Sequence, residues 1–260
     1  MSILKDILKE KESFIQLLKA EEISPSTRKP VSLRQSLKAK SPIGIIAELK
    51  RHSPSKGHLN DQVNPAAQAK VYEQSGAAAI SVLTDEPFFK GSFTDLEEVR
   101  KAVELPILCK DFIIDPVQIH KARSAGADAI LLIVAALPPE KLCSLYEEAR
   151  LLGLEVLVEV HDEVEMKAAL DVGADLIGIN NRNLATFEVT LETTVRCIPS
   201  EHPDDVLFIS ESGMRTREDV EKVQLAGAAG ILVGETLMKS ANIPATMFDL
   251  SLHGENRPVR

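Results

Sequence analysis

The sequence holds only three cysteines, Cys109, Cys143 and Cys197, far apart and without C-x-x-C spacing. That excludes a zinc ribbon and a disulfide framework and leaves reduced thiols. Basic residues are in deficit: 30 Lys and Arg stand against 39 Asp and Glu, for a formal net charge of −9. A general nucleic-acid-binding role is excluded on that balance, although local cations can still hold a small anion. No apolar run is long enough to span a bilayer. The N-terminus, MSILKDILKEKESF, lacks the apolar core of a signal peptide. A soluble, cytoplasmic protein is expected. His52, His58, His120, His161, His202 and His253 show no H-E-x-x-H or other metal spacing, so no metal is expected. No G-x-G-x-x-G follows a predicted strand, which argues against an open dinucleotide-binding sheet.

What is present is regular. Ile3, Leu4, Ile7, Leu8, Phe14, Ile15, Leu17 and Leu18 have helical spacing with Lys and Glu between them, predicting an amphipathic helix over residues 3–22. Ser24-Pro25-Ser26 and Lys29-Pro30 interrupt it, and residues 32–40 read as a second short helix. This extension, residues 1–42, is expected to dock over one end of the main domain. From residue 43 to 250, short β-branched or Leu-rich runs alternate with helical patterns. Predicted strands are Gly44–Glu48, Ala79–Leu83, Ile107–Lys110, Ala129–Val134, Val156–Val160, Leu176–Asn180, Leu207–Ser210 and Gly230–Val233. Most are continuously apolar, as strands buried on both faces are. Asn64-Pro65 and Asp115-Pro116 each offer an N-cap before a first-turn proline. Thr94 with Glu97, and Asp162 with Glu165, have capping-box spacing. Ser75-Gly76-Ala77, Ala125-Gly126-Ala127, Val172-Gly173-Ala174 and Ala226-Gly227-Ala228 echo one another about every fifty residues, as two βα units would. Each suits a helix exit turning into the next strand. Eight strand–helix units in 260 residues fit an α/β fold of the (β/α)₈ TIM-barrel type with an N-terminal helical extension. Ser251–Arg260 reads as a frayed tail.

In such a barrel the chemistry sits at the carboxyl ends of the strands. Those ends carry Glu48 and Lys50, then Lys110, Glu159, Asn180 and Glu211. The period of two puts Glu48 and Lys50 on one face. Lysine and glutamate are expensive to bury unpaired, so five ionisable groups converging on one mouth are better explained as a coupled site than as solvated strand ends. Ser212-Gly213 after strand seven and Gly234-Glu235 after strand eight occupy the two loops that commonly hold phosphate in barrels. Phe88 and Phe89 sit in a polar, Gly-containing loop, where at least one suits a lid over an aromatic ligand. Asp204-Asp205 reads as a solvated turn.

The combination resembles the indole-3-glycerol phosphate synthase family. The resemblance rests on Ile45 through Gly57 (IIAELKRHSPSKG), Leu83-Thr84-Asp85-Glu86 with Phe89-Lys90-Gly91-Ser92, and Leu108-Cys109-Lys110-Asp111-Phe112. It continues through Glu159-Val160-His161, Ile179-Asn180-Asn181-Arg182-Asn183-Leu184, Ser210-Glu211-Ser212-Gly213 and Leu232-Val233-Gly234-Glu235. It covers nearly the whole chain. It implies ring closure of 1-(2-carboxyphenylamino)-1-deoxy-D-ribulose 5-phosphate with loss of carbon dioxide and water, a step of tryptophan biosynthesis, with no metal or organic cofactor. By similarity, Lys110 is the general acid toward the ketone oxygen, and Glu159 takes part in the later proton transfers. Glu48 and Asn180 organise the hydroxyls and the lysine, with Lys50 in support and Glu211 in the catalytic set. Ser53 belongs to substrate binding, Arg182 faces the carboxylate that is lost, and Phe89 and Phe112 border the aromatic ring. Ser212, Gly213, Gly234 and the Glu235 backbone hold phosphate. The loop from Ser53 to Gly57 reads as a mobile flap. Where family members often carry an aromatic in the short helix before strand one, this chain has Leu33 and Leu37. The resemblance implies a small phosphorylated substrate, a monomer or weak homodimer, and no nucleic-acid or membrane partner. The chain ends soon after strand eight and its helix, so no fused second enzyme is expected.

Two other readings compete. Another phosphosugar barrel, such as phosphoribosylanthranilate isomerase, needs a cysteine–aspartate pair at strand ends. Here Cys109 precedes Lys110, so its side chain should face the other way. A catalytically dead scaffold is opposed by the filled catalytic positions. The sign of any shift in the Lys110 pKa is open, because dryness and neighbouring cations would lower it while Glu159 would raise it.

Overall fold

The computed structural model describes residues 3–54, 57–58 and 63–253. Ser55 and Lys56 of the expected flap, and residues 254–260 of the expected tail, lie outside them. Eight parallel strands close into a barrel: β1 (Gly44–Leu49), β2 (Ala79–Leu83), β3 (Ile107–Lys110), β4 (Ala129–Ile133), β5 (Glu155–Val160), β6 (Leu176–Asn180), β7 (Leu207–Glu211) and β8 (Gly230–Val233). Each hydrogen-bonds to the next, and β8 returns to β1 with Gly44 opposite Gly230. All eight predicted strands form, and their ends differ from expectation by one residue at most. At β4 the chain leaves the strand after Ile133 and turns through a 3-10 helix, Val134–Ala136.

The alternation of side chains sorts the apolar residues into two cores. Ile45, Ala47, Ile80, Val82, Cys109 and Leu132 face outward and pack with the helices. Ile46, Ala79, Leu108, Leu157, Ile209 and Leu232 face inward and fill the barrel. Each fully buried Leu or Ile contributes roughly 1.5–3 kcal/mol, which explains why these strands read as unbroken apolar runs. The glycine echo is borne out: Gly76, Gly126, Gly173 and Gly227 all have positive φ, from 80° to 107°, at helix exits. Asn64 and Asp115 cap their helices, the latter in a capping box with Gln118. Thr94 does not cap. Ser92 does, accepting from the Asp95 N–H, so that helix starts two residues earlier than the Thr94–Glu97 spacing suggests. Asp162 caps its helix, but Glu165 reaches past it to the His161 N–H.

The extension works at both ends of the barrel rather than one. Helix α1 (Ile3–Ala20) buries Ile7, Lys11, Ile15 and Leu18 as a stripe, near the carboxyl ends of β2 and β3. The following segment descends beside the helix Pro116–Ala125, with Glu21 paired to Lys121 and Arg28 bonded to the Gly126 carbonyl. Helix α2 (Leu33–Lys38), capped by Ser32, then closes the opposite mouth. Its Leu33 and Leu37 enter the inner core, the Ser32 hydroxyl and the Arg34 N–H bind Glu155, and the Arg34 side chain pairs with Asp175. Gly44 and Gly230 press so closely on Leu37 that a Cβ at either would crowd it.

Candidate active site

The inward positions nearest the carboxyl ends of the strands carry the polar residues. Glu48 on β1 lies beside Ser81 on β2, and Asn180 on β6 beside Glu211 on β7. Lys110 from β3 reaches into their centre. Its Nζ is 2.5 Å from Glu211 Oε2, 3.5 Å from Glu48 Oε2 and 4.0 Å from Glu159 Oε2. Lys50 Nζ lies 2.6 Å from the other oxygen of Glu48, so Glu48 and Lys50 do share a face. Asn180 donates to Glu159 Oε1 at 3.2 Å.

All three carboxylates are buried. Burial alone would push each toward the neutral form. At Glu48 the neighbouring Lys50 and Lys110 prevail, and its pKa is lowered. At Glu159 burial is outweighed by His161, Lys110 and Asn180, and its pKa is lowered too. Glu211 goes the other way: burial and repulsion from Glu159 and Glu48 outweigh Lys110, raising it above the usual carboxylate range. For Lys110, burial works against the charge, but Glu211, Glu48 and Glu159 together raise its pKa and hold it protonated. One cation shared among three carboxylates with diverging proton affinities is a titrating unit, not four independent groups.

Above this cluster opens a cavity of about 400 Å³. Its apolar wall includes Phe89 and Phe112, whose ring centroids are 5.9 Å apart, with Leu131 and Ile133. Phe89 sits on a short helix capped by Asp85, and Phe112 follows Asp111, whose carboxylate accepts the Phe112 N–H. Ser53 and Arg182 also line the cavity. Arg182 is held by its backbone N–H on Asn180 Oδ1 and by its guanidinium on the Phe187 carbonyl. The loops after β7 and β8 supply Ser212, Gly213, Gly234 and Glu235 to the rim. Ser212 and Gly213 both have positive φ, 64° and 95°, in the turn that leaves β7. Gly234 approaches Glu48 so closely that a Cβ would strike its carboxylate. Among the described residues no cluster of His, Cys, Asp and Glu is arranged to hold a metal.

The family model of indole-3-glycerol phosphate synthase matches residues 4–250. The chain belongs to that family. The indole-3-glycerol phosphate synthase of Listeria monocytogenes serovar 1/2a is 51% identical over 242 residues, covering 93% of this chain and 95% of that protein. That of Oceanobacillus iheyensis is 50% identical over 242 residues, covering 92% and 93%. A solved 3-hexulose-6-phosphate synthase superposes with a TM-score of 0.61 at 15% identity, covering 80% of this chain and 98% of that one. At that identity the match speaks for the barrel alone.

In this indole-3-glycerol phosphate synthase family chain, every residue expected at the site except Glu211 lines the cavity. Glu211 does not line it; its carboxylate pairs with Lys110, which does. Cys109 faces outward, as expected, against Thr84 in the outer core, where burial pushes its thiol up to about 12. The loop after β1 is tied to the two helices that follow β2: Arg51 forms a two-pronged pair with Asp95, and His52 Nδ1 meets the Phe88 carbonyl at 2.7 Å.

Sequence reasoning passed over several residues that shape the site. Lys11 of α1 is 3% exposed and lies 3.0 Å from Asp85 and 2.5 Å from Asp111, anchoring the two loops that carry Phe89 and Phe112. Its place in the stripe Ile7-Lys11-Ile15 was the available signal. Ile3, Leu4 and Ile7 of the same helix complete the apolar wall. Gly178 on β6 leaves the space that the Glu211 carboxylate fills. Asn181 faces away from the cavity and braces the turn after β7, donating to the Ser210 hydroxyl and to the Glu211 and Ser212 carbonyls.

Proposed function

We propose that this chain closes the pyrrole ring of 1-(2-carboxyphenylamino)-1-deoxy-D-ribulose 5-phosphate, releasing carbon dioxide and water to form indole-3-glycerol phosphate. One observation carries the reading in this chain: a protonated lysine, Lys110, stands among three buried carboxylates at the floor of a cavity with aromatic walls and glycine-bearing loops on its rim. The aryl carbon bearing the carboxylate attacks the ketone carbon while Lys110 donates a proton to the ketone oxygen. Carbon dioxide then leaves that aryl carbon and its bonding electrons restore the aromatic ring. The hydroxyl formed from the ketone departs as water and a proton is lost from the new ring, with Glu159 exchanging these protons.

Chemistry at these positions follows from charge. The alkoxide that would develop at the ketone oxygen binds a proton more tightly than an amine does, so even a Lys110 with raised pKa can supply it. Glu48 and Asn180 orient the substrate hydroxyls and the lysine, and Lys50 supports Glu48 and the substrate anions. Glu211 is a positioning group: its carboxylate holds Lys110. Arg182 faces the carboxylate that leaves, and Phe89 and Phe112 border the anthranilate ring. Ser53 contacts substrate from the first loop. Backbone N–H groups from Ser212 to Gly213 and from Gly234 to Glu235 hold the phosphate. Both ends of the substrate are thereby gripped and the reacting carbons held together, which lowers the barrier through orientation. No cofactor is needed, since the electrons released by decarboxylation remain in the product. The enzyme is read as soluble and cytoplasmic, working as a monomer or weak homodimer without nucleic-acid or membrane partners. The test is direct: purified protein and the anilino-ribulose phosphate should give indole fluorescence, and a chain without tryptophan adds no indole background.

A further inference from the structure

His161, immediately beyond β5, has no part in the chemistry above, yet it is clamped between two carboxylates. Its Nδ1 lies 3.0 Å from Glu165 Oε2, and the same oxygen accepts the His161 backbone N–H at 2.8 Å. Its Nε2 lies 3.3 Å from Glu159 Oε1 without an aligned hydrogen bond, an electrostatic contact. The two oxygens of Glu159 are thus divided. Oε1 faces His161 and Asn180, while Oε2 faces Lys110. An imidazole with a carboxylate at each nitrogen is suited to the doubly protonated form, a donor on both sides.

Taking the proposed function as given, we infer that His161 is a positioning residue for Glu159. Braced by Glu165, it occupies Oε1 and leaves Oε2 turned toward Lys110 and the reacting atoms. The ring stays cationic because Glu159 near the end of β5 and Glu165 on the helix Glu163–Asp171 overcome its burial. The other groups facing Glu159 are Lys110 on β3, Asn180 on β6 and, more remotely, Glu211 on β7. Arg196 on the following helix pairs with Glu163 and takes no part. Removing the imidazolium would free Oε1 to rotate and remove a positive neighbour, so Glu159 would hold its proton to higher pH.

The experiment measures kcat and KM against pH in His161→Asn and Glu165→Gln, each also in a Glu159→Gln background. A misplaced carboxylate predicts that H161N lowers kcat by about tenfold, with KM changed less than about twofold and the acid limb of kcat displaced toward higher pH. E165Q, which leaves the ring but loosens it, should shift both in the same direction and by less, and it carries the test if H161N does not fold. In the E159Q background H161N should cost almost nothing more, because the two act as one unit. Unchanged kcat and acid limb in both variants, or an equal loss from H161N with and without Glu159, would overturn the inference. The His161 ring titration, followed by NMR, does not depend on turnover. A wild-type protein that forms no product while His161 titrates above an ordinary histidine, and lower in E159Q, would indict the proposed reaction and not the clamp.

Discussion

Lys11→Met tests how far the first helix controls the site. The ammonium is buried between Asp85 and Asp111, 3.0 and 2.5 Å away, with the Phe14 ring centroid at 5.1 Å. At an effective dielectric constant of about 20, each contact supplies roughly 5–7 kcal/mol of attraction. Desolvating three charges costs several kcal/mol per ion, so the intact triad is worth far less than that sum. Its loss is another matter. Methionine fills the space but leaves two buried carboxylates without their cation, which costs about 3–5 kcal/mol. In a protein of this size each kcal/mol lowers Tm by about 2–4 °C, so the variant should melt roughly 6–20 °C below wild type. Asp85 caps the helix bearing Phe89, and Asp111 fixes Phe112 beside Lys110, so KM should rise as well. Scanning calorimetry of wild type, K11M, D85N and the double variant gives the coupling. D85N should cost less in the K11M background, because one orphaned charge is then relieved. A K11M protein melting within about 2 °C of wild type, or a D85N cost independent of residue 11, would refute the buried-triad argument.

Other consequences are equally measurable. Gly178→Ala places a Cβ where the Glu211 carboxylate lies; overpacking should cost about 1–3 kcal/mol and displacement of the lysine's partner about 10²-fold in kcat, and a normal kcat would show that Glu211 does not position Lys110. The substrate without its phosphate forfeits charge-assisted hydrogen bonds of about 1.5–3 kcal/mol each, so competition assays should find it at least about 10²-fold weaker; equal affinity would remove the phosphate assignment from the β7 and β8 loops. Because the folded-state pKa of His161 is raised to about 10, its stabilisation is present in full below its ordinary value and is lost as pH rises through the folded one. In urea titrations the advantage of wild type over H161N should therefore shrink as pH rises from neutrality toward 10, and a gap independent of pH would contradict that charge.

The strands, the helix exits and the mouth of the barrel were legible because local rules govern them. Continuous apolar runs, Pro-primed caps such as Asn64-Pro65 and the recurrent Gly-Ala turns are decided within a few residues. The gathering of Glu48, Lys50, Glu159 and Glu211 around Lys110 was legible for a related reason: charged groups ending apolar strands are costly enough to need partners. What escaped was non-local. Lys11 reads as one of many surface lysines until the fold brings it to Asp85 and Asp111, a hundred residues on in the second case. Gly178 reads as an ordinary small residue until Glu211 arrives from the next strand. Thr94 had the right spacing for a cap, but Ser92 began the helix first. His161 carried no motif, because its two carboxylates lie on the strand before it and the helix after it, and only geometry aims them at its two nitrogens. The extension was expected at one end because its amphipathic stripe gives no address; the inward Leu33 and Leu37 placed α2 at the mouth opposite α1.

In the proposed reaction Lys110, held protonated by Glu48, Glu159 and Glu211, is the acid that closes the ring. Purified wild type, Lys110→Ala and Glu159→Gln are each mixed with the anilino-ribulose phosphate, and indole fluorescence and carbon dioxide release are followed together. Wild type should yield both in equal amounts, and turnover should fall by about 10²–10⁴ in each variant. No product from wild type, or near-normal turnover in both variants, would contradict it.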